Sequence, residues 1–110
     1  MPEKDKASLL AIIDAAGKIL KYTEDLPDAD SFFRDEKTFD AVLMNFVLIG
    51  ETVAKLSEAL KDAHPHIPWQ KIKDFRNIIA HDYFGVDAEE VWQIIQNNMP
   101  ALVGDIKHIL

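Results

Sequence analysis

The chain has 110 residues, which is enough for one compact domain with its own hydrophobic core and too few for a second. It carries no cysteine, which excludes disulfides and thiolate metal sites and fits a reducing cytoplasm. The net charge of −7 argues against broad nucleic-acid binding, because phosphate affinity comes largely from cationic side chains. We expect a single soluble, cytoplasmic domain over residues 1–110, since neither a signal peptide nor a membrane-spanning apolar run is evident.

The first half of the chain has helical periodicity. Apolar residues recur at three- and four-residue spacing over about 5–24, which predicts an amphipathic helix. Pro27 cannot continue that helix, and Ser31 is expected to cap a single helical turn. A second helix is predicted over 36–63. Its apolar residues cover more than one face, so we expect it to be the most central helix.

The second half also predicts helices. Two prolines within 64–68 break the chain, and a third helix is predicted over 69–84 with Gly85 as its stop. Asp87 is expected to cap the next helix, and Pro100 to kink or restart the last one. No segment alternates as a strand would, and the connections are short. The sequence therefore predicts an all-α, antiparallel up-and-down bundle of four to five helices.

Residues that carry chemistry concentrate between Arg76 and Tyr83. Arg76 supplies a permanently charged, planar group that suits a phosphate, and histidine, here His81, is the residue type best suited to move protons near neutral pH. Together they can cleave an RNA phosphodiester without a metal. The histidine would help to deprotonate the 2′-hydroxyl or protonate the leaving 5′-oxygen, while the arginine would stabilise charge on the phosphate oxygens. Lys71 and Lys73 complete the local basic cluster that RNA would need.

Helical geometry limits how one copy of this segment could act. Five residues rotate by about 140° on an ideal helix, so Arg76 and His81 do not share a face unless the helix loosens near Ala80. Two copies meeting across a two-fold axis could build a composite site more easily. The sequence therefore favours a homodimer.

These residues carry a resemblance to a known family. Arg76, four intervening residues and His81 match the Arg-x4-6-His signature of HEPN ribonucleases, and the extension through Tyr83 and Phe84 resembles the HepT-like toxins. The resemblance covers nearly the whole chain, because further segments occur in the family's order: 39–43, 49–51, 64–69 and 83–92.

The resemblance implies a HEPN-fold helical bundle that works as a homodimer, with the paired motifs lining a cleft at the interface. It implies a toxin that cleaves RNA to cyclic phosphate ends without a metal or other cofactor, and it implies neither a DNA substrate nor a membrane. It also implies a neighbouring minimal nucleotidyltransferase as antitoxin, which transfers AMP from ATP to the motif tyrosine, here Tyr83. Adenylates beside Arg76 would occupy its guanidinium and repel an RNA phosphate.

Two supporting residues are expected around the motif. Asn77 is interpreted as orienting His81 or the substrate, since a neutral amide does not carry protons. Glu51 lies in an otherwise apolar stretch and would need a partner if it were buried, for which Arg76 is the candidate. An exposed position for Glu51 is an equally good alternative.

Other functions stay open at this point. Met44 stands where a basic residue is expected in many relatives, and together with the acidic balance it favours a non-catalytic subunit that binds nucleotide or docks on the nucleotidyltransferase. A structural dimerisation module with a decayed site is a third possibility. His64 and His66 make a poor metal site, because no third ligand is near them in the sequence.

Overall fold

The computed structural model describes residues 1–110, and its only regular elements are helices. Five helices have ten or more residues and two have six, with one 3₁₀ turn near the middle of the second half. In chain order they are α1 (Glu3–Thr23), α2 (Ala29–Arg34), α3 (Glu36–Lys55), α4 (Glu58–Ala63), α5 (Trp69–His81), the 3₁₀ turn (Tyr83–Gly85), α6 (Ala88–Asn97) and α7 (Met99–Ile109). The all-α prediction is confirmed.

The helices enclose one hydrophobic core. Helix α3 is central, as predicted, and packs against α1, α2 and α5. Helix α1 also packs against α7, while α6 lies between α2 and α7. Burial of apolar side chains from every long helix is the main stabilising contribution to such a bundle. None of the helices combines the length and the apolar character that crossing a membrane requires.

The predicted helix over 36–63 is wrong in one respect, because it is two helices. Helix α3 ends at Lys55, and Ser57 adopts an extended backbone before α4 begins. The Ser57 hydroxyl accepts the Leu60 N–H at 3.2 Å, while the buried Asp5 carboxylate accepts the Ser57 hydroxyl at 2.6 Å and its N–H at 3.0 Å. The hydrogen bonds from Ser57 hold the pKa of Asp5 below its ordinary value, and the one from the hydroxyl has the larger effect. Local periodicity could not show a break that depends on a residue 52 positions away.

Two other helix ends differ from the prediction. Asp28, rather than Ser31, caps α2, and its carboxylate accepts the Ser31 N–H at 2.8 Å. Helix α5 ends at His81, three residues earlier than predicted, because Asp82 leaves the helical conformation and accepts the Gly85 N–H at 3.2 Å. The short side chain of Asp competes well with helical backbone hydrogen bonds at such positions. The motif segment therefore divides into a helix and a turn.

The last two helices begin as the sequence predicts. Asp87 caps α6 by accepting the Glu89 N–H at 2.9 Å. Pro100 lies in the first turn of α7, so it restarts a helix rather than kinking one.

Helix α5 lies very close to α3 at Gly50. A Cβ atom placed on Gly50 would lie 2.3 Å from the Cβ of Arg76 and 2.8 Å from its Cγ. These distances are far below van der Waals contact, so any side chain at this position would force the helices apart. Glycine at this position therefore sets the spacing from which Arg76 extends over α3.

We predict that Gly50→Ala destabilises the fold by about 1–3 kcal/mol, because the added methyl group overlaps the stem of Arg76. Gly17→Ala is the matched control, since a Cβ on Gly17 meets nothing within 4 Å on the exposed side of α1. Replacing this mid-helix glycine by alanine is expected to stabilise the protein by about 0.5–1 kcal/mol, because alanine favours the helical conformation. Urea unfolding at equal protein concentration measures both, and equal effects of the two substitutions would contradict the close approach at Gly50.

Candidate functional site

Arg76 is held from two sides at the surface of the α3–α5 pair. One terminal nitrogen of its guanidinium pairs with the Glu51 carboxylate on α3, and the other donates to the side-chain oxygen of Asn77 at 3.1 Å. The Nε atom is buried and has no hydrogen-bond acceptor. An unpaired donor on a charged group is unfavourable and uncommon in folded proteins. The guanidinium is thus fixed in direction while part of its hydrogen-bonding capacity is unused.

Tyr83 is anchored at the other end of the same pair of helices. Its hydroxyl donates a hydrogen bond to the Asp40 carboxylate on α3. Partial burial, then this hydrogen bond and the nearby negative charge, raise the pKa of Tyr83 to about 12. The phenol is therefore neutral over the physiological range and its hydroxyl has a fixed acceptor.

The two contacts fix the direction of the helices. Along the chain Asp40 precedes Glu51, whereas Arg76 precedes Tyr83, so α3 and α5 run antiparallel. The pairs are separated by eleven residues of α3, or about 16 Å at 1.5 Å per residue. Between them, Met44 and Leu48 lie on the same outer row of α3.

This row, which we call the α3 outer row, comprises Asp40, Met44, Leu48 and Glu51. Met44 is 59% and Leu48 49% exposed, which is high for large apolar side chains placed next to each other on a helix. The α3 outer row therefore has a carboxylate at each end that binds a motif residue, and two exposed apolar side chains between them.

His81 is exposed at the end of α5. The helix is continuous from Arg76 through Ala80 to His81, so the loosening that would bring both motif residues to one face is absent. With about 140° between them, Arg76 and His81 lie on different sides of the helix in a single chain. Asn77 is one turn from His81, but its side-chain oxygen is bound to Arg76 instead.

The lysines that precede the motif line a groove beside α4. Lys71 and Lys73 share this groove with a third lysine and with two carboxylates, and Arg76 does not line it. That Lys71, Lys73 and Arg76 form one basic cluster for RNA stays a prediction.

A cavity of about 450 Å³ lies elsewhere, between α3, α5, α6 and α7. Its lining is mainly apolar and includes none of the motif residues from Arg76 to Tyr83. The rings of His64 and His66 have centroids 6.0 Å apart, and no three His, Cys, Asp or Glu side chains gather in a group that could hold a metal ion. The motif residues are therefore at a surface rather than inside a closed pocket.

Sequence reasoning missed two features of this surface. The role of Asp40 could have been found by placing α3 and α5 antiparallel, since Asp40 and Glu51 share a helical row and Arg76 and Tyr83 are almost two turns apart. The exposure of Phe84 had no sequence signal, because it depends on the turn that Asp82 creates after α5.

An all-helical bundle that carries an arginine and a histidine on one helix, followed by a tyrosine, is typical of HEPN ribonucleases. The Ribonuclease HepT-like family model matches residues 12–109, and the chain belongs to this family. A Methanocaldococcus jannaschii protein with a provisional RNase name is 34% identical over all of this chain and 91% of its own length. A Thermococcus cleftensis protein, provisionally named ribonuclease HepT, is 31% identical over 99% of this chain and 98% of its own length. No solved structure matches the chain.

We predict that Tyr83 titrates with a pKa of about 12 in the Tyr22→Phe protein, where it is the only tyrosine. Asp40→Asn should move this pKa toward the ordinary value near 10, because it removes the adjacent negative charge. Since the folded-state pKa lies above the unfolded one, the contribution of this contact to stability is present below about pH 10 and is lost as the pH rises through the folded-state value.

Phenolate absorbance measures the titration, and circular dichroism verifies that the helices persist over the same range. Asp14→Asn removes an equal charge from the exposed side of α1 and serves as the control. A pKa near 10 for Tyr83 in the Tyr22→Phe protein would contradict the Asp40–Tyr83 contact.

Proposed function

We propose that this chain is a metal-independent endoribonuclease toxin that uses Arg76 and His81 to cleave RNA in the cytoplasm. The observation that carries the proposal is the state of Arg76 in a member of a ribonuclease family. Its guanidinium is held in direction by Glu51 and Asn77, and the Arg76 side chain stays 32% exposed, so a phosphate can reach its terminal nitrogens. A planar guanidinium in this position can bind a phosphate through two N–H groups.

The chemistry follows from general acid–base catalysis at an RNA phosphate. The 2′-oxygen attacks the phosphorus as its proton leaves, the bond to the 5′-oxygen breaks, and that oxygen takes a proton. His81 moves one of these protons, while Arg76 stabilises the negative charge on the phosphate oxygens. The products are a 2′,3′-cyclic phosphate and a 5′-hydroxyl end. Because Glu51 is exposed, an RNA phosphate can replace its carboxylate at Arg76.

The catalytic unit is proposed to be a homodimer. In one chain Arg76 and His81 lie on different sides of α5, so a phosphate cannot easily contact both. A second copy across a two-fold axis can supply the missing partner residue, since such an interface presents the same surface twice. The exposed Met44 and Leu48 of the α3 outer row offer the apolar area that the contact would bury.

Regulation is proposed to act on Tyr83 through a minimal nucleotidyltransferase that serves as antitoxin. The phenolic oxygen attacks the α-phosphorus of ATP, pyrophosphate leaves, and Asp40 is placed to take the phenolic proton. The adenylate adds negative charge to the surface that carries Arg76 and so repels an RNA phosphate. Exposure of Tyr83 makes its ring accessible to a partner enzyme.

A non-catalytic subunit that binds nucleotide or docks on the nucleotidyltransferase is the second candidate. One observation favours it: the chain is acidic, with a net charge of −7, and the one carboxylate that contacts Arg76 already neutralises it. Such a subunit would need Tyr83 and its surface but not a proton carrier at His81.

We predict that the purified chain, free of any partner, cleaves RNA in the presence of EDTA. Arg76→Ala and His81→Ala should each lower the rate at least about 100-fold, because each removes a group that stabilises the transition state or transfers a proton. Arg34→Ala and His108→Ala are matched controls, since they remove the same residue types from α2 and α7. If the unmodified parent protein leaves RNA intact, the result favours the second candidate, a non-catalytic subunit.

Mixing the two inactive variants tests the composite site within the same assay. If Arg76 of one copy acts with His81 of the other, mixed dimers keep one intact site. Activity should then return to at most about a quarter of the parental level, because half the dimers are mixed and each has one of two sites. A site contained in a single chain would give no recovery.

We predict that co-expression with an adjacent nucleotidyltransferase adds one or more AMP groups to Tyr83 and abolishes RNA cleavage, because the adenylate brings negative charge to the site. Intact-mass and peptide mass spectrometry measure the modification. Tyr83→Phe should remain unmodified and resist neutralisation, whereas Tyr22→Phe, which removes the other tyrosine, should behave as the parent. AMP found on Tyr22, or none with the partner present, would refute this part of the proposal.

A further inference from the structure

Phe84 is the most exposed large apolar side chain of the protein. Its exposure is 98%, whereas the other exposed large apolar residues range from 36% to 60%. A single exposed apolar residue is unremarkable on its own, since much of any protein surface is apolar. Whether the exposure of Phe84 indicates a function therefore depends on how its turn is held and on which residues lie beside it.

The turn that carries Phe84 is fixed rather than loose. The Gly85 N–H is accepted by both the backbone and the side chain of Asp82, at 3.1 and 3.2 Å. Tyr83, on the other side, is anchored through its hydroxyl to Asp40 on α3. The Tyr83 ring meets the Phe84 ring edge to face, with centroids 5.7 Å apart and planes at 83°. Phe84 is thus presented from a braced turn with almost all of its surface open to solvent.

The chain offers RNA phosphates little net positive charge. The net charge is −7, Arg76 is paired with Glu51, and the groove of Lys71 and Lys73 also holds two carboxylates. Stacking of a base on an aromatic ring needs no positive charge, and unpaired RNA bases are commonly bound in this way. An acidic ribonuclease can therefore hold its substrate by stacking where it cannot do so by phosphate contacts.

We propose that Phe84 is the stacking platform for an unpaired nucleobase of the RNA, at the end of the motif that carries His81 and Tyr83. The inference rests on the proposed ribonuclease function and names its substrate class, which is single-stranded or looped RNA. Phe84 is three residues beyond His81 and its ring contacts that of Tyr83, so a base on it lies at the His81 end of the motif rather than at Arg76. It follows that the protein selects for unpaired RNA, because a base within a duplex has no free face to offer.

The test compares the parent protein with Phe84→Leu, Phe84→Trp and Phe33→Leu. Phe33 is a matched control, because it is a phenylalanine with 59% exposure on a different helix, α2. Each protein is assayed on a single-stranded oligoribonucleotide, with KM and kcat measured separately. Binding is measured on the same strand with a 2′-O-methyl group at the cut position and 2-aminopurine beside it, whose fluorescence is quenched by stacking.

Phe84→Leu is expected to raise KM and weaken binding about 10-fold, with kcat changed less than about twofold and quenching lost. Phe84→Trp should retain binding and quenching, and Phe33→Leu should match the parent. Stacking does not depend on charge. The ratio of the dissociation constants of the parent and Phe84→Leu should therefore stay constant as the salt concentration is raised. A merely structural role for Phe84 would not preserve kcat or be rescued by tryptophan.

Three results would overturn the inference. Equal KM for the parent and Phe84→Leu would show that the ring does not contact RNA. A change from dimer to monomer in Phe84→Leu, seen by light scattering, would make Phe84 an interface residue instead. If the parent binds the uncleavable strand without quenching, stacking is excluded even though binding occurs. Failure of the parent to cleave any RNA concerns the proposed function, and the binding arm still decides whether Phe84 stacks.

Discussion

Gly50 is the position at which α3 and α5 come close enough to share one surface. The missing side chain lets the stem of Arg76 lie directly on α3, from where the guanidinium reaches Glu51. The antiparallel alignment set by this approach places Tyr83 beside Asp40 at the other end of the helix. Because Arg76 and Tyr83 both contact α3 through their polar groups, the site is a property of a helix pair rather than of one helix.

The chain is acidic overall, and two of its carboxylates lie at this same surface. The α3 outer row contributes two carboxylates, and each binds a functional group of the motif in the free protein. In the proposed ribonuclease, an RNA phosphate at Arg76 would compete with the Glu51 carboxylate, and its affinity would reflect the difference between the two anions. Such competition would disfavour indiscriminate binding of phosphate backbones.

Much of the fold follows from the sequence, because apolar periodicity reports which face of each helix is buried. The central position of α3 and the caps and prolines near the C-terminus were predictable in this way. The break within 36–63 was not, since Ser57 acquires the partner Asp5 only through tertiary structure. Within the site, the motif arginine and its α3 carboxylate could be paired from the sequence, but the contact of Tyr83 with Asp40 needed the alignment of two helices. Long-range polar contacts leave no periodic signal.

The hydrogen bonds between Asp5 and Ser57 join the first turn of α1 to the junction of α3 and α4. The local pattern of residues 36–63 suits one continuous helix, so the bend is stabilised by a contact between residues 52 positions apart. The angle between α3 and α4 therefore depends on the docking of α1, and a change in the first turn of α1 would alter the direction of a helix in the middle of the chain.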